Sequence, residues 1–470
     1  MTLQNQHSSL PRSRMHALEE NDITTYAFTF DRSCNLIDVQ QDFSHVLPES
    51  HSEVIDLRLC GRVTDIRLVD GDVLCYIEDQ HAQLQLGLEA AEVGSEGVAD
   101  FYANICTGDY VGFSVYRIGR TGEGELTAYI YHWEMLAPNQ QPTIAIESGN
   151  PLAVGLATRR RLMMRSKMVR SLRHSLEHWY DFLEVPLPMQ HPEPEEALAQ
   201  LVSSGFEAVY QLTSTPDGDA PSERLYATMA LTDENDMMGL TERLFRHLSL
   251  EIRDRRVLPW APQSRLQLDA TSETTQAIPD TQALSILIDM ETTWEQRSFY
   301  ELLAEVTGVD FKNLASTEQA RQIAQGMDVQ EIAHEPNFQV GDIALSLFHR
   351  LVVPTLVQPT FVINFPIEAC RCDKRTPYDS RLIGCARLFI NGLEFASADT
   401  LVTAQQPGQK ARADVSEFER STDWQSSAPS KHLYNLPPTA RLVLNIDRLT
   451  MLLTGALDIR EVQFFPHTKR

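Results

Sequence analysis

The sequence predicts an α+β chain in which a five-stranded β-barrel of OB type precedes a larger domain of antiparallel strands and helices. Three observations predict it. Five β-branched and aromatic runs crowd residues 54–137, with a helix-like insertion, Ala90–Ile105, between the third and fourth. A long amphipathic pattern follows, with Leu162, Met168, Val169, Leu172, Leu176 and Trp179 recurring at helical spacing. Helical and extended segments then mix to the end of the chain, without repeats.

Taken in order, residues 1–50 are polar and read as an irregular leader with one apolar stretch, Tyr26–Phe30. Residues 51–140 are the barrel: VIDLRLCGRVTDIRLV, DVLCYIED, AQLQLGL, DYVGFSVYRIG and ELTAYIYHWEML, with turns at Asp70-Gly71 and in TGEGE. The GEGE stretch is a hairpin turn and not a phosphate loop, because no helix follows it. Residues 141–160 are a linker with Pro142 and Pro151, and residues 161–470 form the α+β domain. There GFEAVYQL and RLYATMAL read as an antiparallel pair. DENDMMGLTERLFRHLSLEI reads as a helix with Asp233 as its cap. SFYELLAEVTGVDF, EQARQIAQGMD and GDIALSLFHRLVVPTL are further helices, PTFVINFP and RLFINGLEFASA are strands, and ARLVLNIDRLTMLLTG is a strand running into a helix.

The chain has 470 residues and a formal net charge of −25. That length suggests more than one core. The acidity argues against broad polyanion binding, which needs clustered Lys and Arg. The basic cluster Arg159, Arg160, Arg161, Arg165, Lys167, Arg170 and Arg173 reads as a solvated helix face with partner contacts rather than an RNA track. No run is apolar enough for a membrane span, no signal peptide is recognisable, and the seven scattered cysteines do not form a disulfide framework. A cytoplasmic location with free thiols is expected. His174 and His178 have zinc-compatible spacing but lack a third ligand in the pattern, and Cys370 and Cys372 form a lone CxC.

Three stretches carry a resemblance: RSKMVRSLRHSLEHWYDFLEVPLPM (165–189), QPTFVINFPIEACRCDKR (358–375) with RLFINGLEFA (387–396), and LPPTARLVLNIDRLTMLLTGALDIREVQFFP (436–466). In this order behind an OB barrel they resemble the class II aminoacyl-tRNA synthetases and, among them, the lysyl-tRNA synthetase family, over most of residues 54–470. The resemblance implies an antiparallel-sheet catalytic domain, adenylation of lysine by ATP with Mg²⁺, and transfer to tRNA. It also implies a dimer, with Arg165, Leu172, Phe182 and Pro188 at the seam. The expected partner is a second copy or a related synthetase, with no membrane.

The residues needed for that chemistry are largely replaced. The loop that should carry a phosphate-binding arginine contains no Arg, Lys or His between Thr213 and Glu223, and holds Asp217 and Asp219. Arg224 falls on the following strand. One metal carboxylate aligns with Arg387, the other with Glu394. Of the acids implied for the lysine ammonium, Glu195 is kept and the other aligns with Leu401, while Ser397, Tyr226 and Thr228 replace further pocket residues. Glycines implied for close approach to adenine are Arg441, Val443 and Asn445, beside a retained Asp447 and Arg448. On the barrel, the stacking aromatic aligns with Leu74, Glu125 is kept, and residues 55–140 carry fourteen acids against five bases. The site residues implied to remain are therefore Glu195, Glu394 and Arg448, with Glu394 alone for a metal. The expectation is a protein that has lost adenylation and acts as a regulatory or non-catalytic subunit, without a cofactor. The alternative is an active ATP-dependent ligase of the same family, using ATP and Mg²⁺ for lysine–tRNA ligation or an altered substrate.

Overall fold

The computed structural model describes residues 11–21, 23, 27–139, 155–186, 194–217, 220–260, 286–314, 316–327, 338–369, 379–401 and 436–464. Its contacts divide the chain into two compact units, Met1–Arg160 and Arg161–Arg470.

The first unit begins with helices α1 (Pro11–Glu20) and α2 (Leu36–Asp42), in a stretch whose composition reads as irregular. The helix α2 is short, but its apolar residues have a place to go: Leu36 and Val39 are buried in the barrel core. Its first turn is fixed by Asp79, whose carboxylate accepts from the Leu36 amide at 2.9 Å. The barrel comprises β1 (His51–Val69), β2 (Asp72–Glu78), β3 (Gln83–Leu88), β4 (Tyr110–Arg120) and β5 (Leu126–Ala137), closed in the order β1-β2-β3-β5-β4. Closure leaves no sheet edge unpaired. The β1–β2 turn places Asp70 and Gly71 at φ 53° and 98°, a left-handed pair that tightens the hairpin. Helix α3 (Ala90–Asn104) is the insertion, and its Phe101 packs edge-on to Trp133 at 5.9 Å and beside Phe113 in the core.

The second unit is built on an eight-stranded sheet ordered β11-β12-β13-β14-β15-β8-β7-β6. In chain order its elements, with the end of the preceding helix, are α4 (Leu156–Tyr180), β6 (Leu183–Glu184), α5 (Pro194–Ser203), β7 (Ala208–Asp217), β8 (Ala220–Ala230) and α6 (Glu234–Arg253). Next come β9 (Val257–Trp260) and β10 (Ile286–Asp289), which pair separately as a two-stranded ribbon. Then follow β11 (Glu295–Ser298), α7 (Phe299–Thr307), α8 (Thr317–Gly326), α9 (Val340–Leu347), β12 (Thr360–Ile363), β13 (Cys385–Ile390), β14 (Leu393–Leu401), β15 (Thr439–Asn445) and α10 (Ile446–Thr454). The Asp233 cap is present: its carboxylate accepts from the amides of Asn235 and Asp236. RLFINGLEFASA is two strands, because Asn391 and Gly392, at φ 48° and 77°, turn it back on itself.

Alternation gives the sheet two unlike faces. On one, Ala396, Ala398, Leu442, Leu444, Leu225, Ala227 and Tyr210 join α6 residues such as Leu244, Phe245 and Leu248 in a large apolar core. On the other, the register sets Ser397, Val443, Tyr226 and Gln211 in one row and Asp399, Arg441 and Thr228 in the next. These polar side chains are also buried. Helix α5 covers part of this face, with Leu198 and Val202 against Val209, Tyr226 and Val443.

Candidate functional site

The polar sheet face divides into two ends. At the first, Arg441 of β15 is held by two carboxylates from different elements. Its Nη1 donates to Glu195 Oε2, at the start of α5, and its Nη2 donates to Asp399 Oδ2 on β14 at 2.9 Å. Arg441, Glu195 and Asp399 are 6%, 7% and 3% exposed. A guanidinium stands among acids in a site whose depth excludes solvent, so each charge depends on the others. The sequence flagged Arg441 and Glu195 separately. Their meeting, and the part taken by Asp399, was not legible, since Arg441 lies 246 positions from Glu195.

At the second end, Arg224, Glu394, Phe395, Ala396, Val443, Asn445 and Arg448 line a cavity of about 20 Å³. That is room for about one water, against roughly 300 Å³ or more for an ordinary ligand pocket. Asn445 turns inward as the cap of α10, its side chain accepting from the Arg448 amide at 2.9 Å. Arg448 Nη1 donates to the main-chain carbonyl of Glu394 at 2.6 Å, so these two meet through the backbone rather than as an ion pair. The Glu394 carboxylate faces Arg387 instead, at 4.0 Å, and its Oε1 has no hydrogen-bond partner among the described residues. Arg387 also donates to the Ala369 carbonyl at 3.0 Å and lies over the Phe365 ring at 4.8 Å. Beside it, the His349 imidazole is pushed down to about 4, first by burial and then by the Arg387 charge. Glu394 is the sole carboxylate lining the cavity among the described residues, and it faces an arginine. This donor set does not fit a magnesium–nucleotide. Arg224, expected merely to fall on a strand, lines the same cavity as Arg448.

Around the two ends, Thr228 Oγ1, Ser397 Oγ and Gln211 Oε1 are buried without hydrogen-bond partners among the described residues. Tyr226 is also buried, and Leu401 packs against the cluster of Leu198 and Val443. Asp447 is taken up structurally: it pairs with Arg165 at 2.6 Å and accepts from Gln463 at 2.9 Å.

Helix α4 neutralises much of its own basic cluster. Arg159 pairs with Glu78, Arg161 with Glu461 at 3.0 Å, Arg165 with Glu223, and Arg173 with Glu184 at 3.0 Å. Of the residues expected at a seam, Arg165, Leu172 and Phe182 are interior in the single chain, and Pro188 lies outside the described residues. The helix instead exposes Met163, Lys167, Arg170, His174, His178 and Trp179. The His174 and His178 rings stack at 4.3 Å, and no cluster of three metal-ligating side chains occurs among the described residues. Cys370 and Cys372, with Asp219 and the Asp217 side chain, lie outside the described residues.

On the barrel, Glu125 accepts from the Tyr76 hydroxyl at 2.9 Å and from Gln85 at 3.3 Å, and Gln85 accepts in turn from Thr127. The retained acid is thus engaged by its neighbours. Leu74 sits on β2 opposite Arg67 and Gly87. Among the described residues no helix is long and apolar enough to cross a membrane.

Comparison with known proteins agrees with this architecture. The family described as tRNA synthetases class II (D, K and N) matches residues 223–469, more than half of the chain. The chain belongs to that class, with an OB-like barrel ahead of its synthetase sheet. Within the class it is similar to lysine–tRNA ligases. It is 25% identical to that of Bacillus subtilis (strain 168), the match covering 99% of this chain and 98% of the relative. It is 26% identical to that of Synechococcus sp. (strain RCC307), covering 97% and 95%.

Proposed function

We propose that this chain is a lysyl-tRNA-synthetase-like protein that has lost amino-acid adenylation and acts by binding, as a regulatory or non-catalytic subunit. One observation carries the reading. Where the family resemblance locates the nucleotide, Val443, Asn445 and Arg448 leave a cavity of only about 20 Å³. Adenylation is catalysed chiefly by positioning ATP and stabilising phosphate charge, so a cavity this small among the described residues removes the main means of catalysis. The absence of Arg, Lys and His between Thr213 and Glu223 supports it. ATP–pyrophosphate exchange with each common amino acid tests it: no exchange above background is expected, and robust lysine-dependent exchange overturns it.

A second reading, an active ligase of altered substrate, draws on Arg224 and Arg448 lining one cavity, since two cations there suit a phosphate. Calorimetry with magnesium–ATP separates the two. Binding abolished by Arg448→Ala favours the ligase.

The partner in the proposed role is a second copy or a related synthetase, meeting the exposed α4 face of Met163, Arg170, His174 and Trp179. The self-paired Glu125 cluster supports a barrel that does not read tRNA. A cytoplasmic setting is in keeping with this role.

A further inference from the structure

We infer that Glu195 and Asp399 form a guanidinium-binding site that the chain's own Arg441 occupies in cis. On this account the pocket is closed to small cations by an internal ligand. The inference deepens the reading above and rests on it in one respect, that the native pocket is closed.

The geometry points this way for three reasons. First, the two carboxylates come from α5 and β14, elements far apart in sequence, and converge on separate Nη atoms of one guanidinium. That arrangement matches a planar fork better than the point charge of an ammonium. Second, all three residues are buried, so the acids cannot be satisfied by bulk water when the cation leaves. Third, Arg441 enters from a central strand flanked by β14 and β8, which remain paired to β15 through the backbone whatever side chain stands there. Shortening Arg441 should therefore empty a site without removing its walls. The ligand class follows from the atoms removed: a short alkylguanidinium.

The test uses the full chain with Arg441→Ala, which deletes the equivalent of ethylguanidinium. Thermal unfolding is followed in ethylguanidinium chloride, with ethylammonium chloride and sodium chloride at equal ionic strength. The expected result is a midpoint raised by about 2–4 °C at roughly ten times the dissociation constant in the variant only. Ethylammonium should give less, and adding Glu195→Gln should abolish the rise. A variant that responds no more than to sodium chloride, an equal response in the unsubstituted chain, or a rise that survives Glu195→Gln overturns the inference. Should Arg441→Ala be recovered unfolded, refolding yield reads the same point. Ethylguanidinium is expected to raise it several-fold over ethylammonium, and equal yields overturn the inference. Pyrophosphate exchange by the unsubstituted chain tests the loss of adenylation separately, so either idea can fail alone.

Discussion

The two ends of the polar sheet face are built in different ways. At the Arg441 end, one cation is held by acids from two other elements, and the charges meet within hydrogen-bonding distance. At the Arg448 end, Arg387 faces Glu394 across 4.0 Å, one carboxylate oxygen has no hydrogen-bond partner among the described residues, and a water-sized void remains. The first end is compensated and the second only tolerated. Buried charge is stable only as a complete set, so the ends should respond very differently to single changes.

The largest effect belongs to the compensated end. Arg441→Met strands two buried carboxylates and should cost ~3–5 kcal/mol in urea unfolding, whereas adding Glu195→Gln and Asp399→Asn should recover most of it. A loss under ~1 kcal/mol for Arg441→Met alone would show that the two carboxylates do not depend on Arg441.

The next concerns pH at the tolerated end. His349 is held neutral by burial and Arg387, with its ionisation lowered from 6.5 to about 4. The folded state therefore disfavours the proton. The associated stability is full above about 6.5 and is lost as pH falls toward 4, at up to ~1.4 kcal/mol per pH unit for one proton. Relative to the unsubstituted chain, His349→Phe should show a shallower acid limb in that window. Identical limbs would show that His349 does not set acid stability in that window.

Smaller still, a double-mutant cycle on Arg387→Met and Glu394→Gln should give a coupling below ~1 kcal/mol, as their separation implies. Smallest is Glu125→Gln on the barrel, expected within about 0.5 kcal/mol, because that exposed acid is engaged by neutral partners at the surface. A cost of several kcal/mol there would make the barrel cluster as consequential as the buried one.

Elements with local signals were legible from the chain. The barrel strands, the α3 insertion, the Asp233 cap and the β15–α10 junction all announce themselves by alternation, helical period or capping residue. The short β9, β10 and β11 went unseen because their pairing is decided by partners outside their own sequence stretch. The leader was read as irregular because the short, mostly polar α2 owes its place to a barrel core into which Leu36 and Val39 fit. The site was half legible. The family resemblance named the positions to inspect, but not that Arg441 reaches Glu195 and Asp399, or that Arg224 lines the cavity of Arg448. Those are facts of register and approach, and no local pattern encodes them.

The Arg441–Asp399 pairing also has a meaning for how the sheet assembles. In β15, odd positions face the polar layer and even positions, Ala440, Leu442 and Leu444, face the apolar core. A slip of one residue during strand pairing would drive the arginine into oil and turn leucines toward carboxylates. An apolar residue at 441 would leave that error less costly. A buried guanidinium at 441 therefore raises the cost of the misregistered sheet.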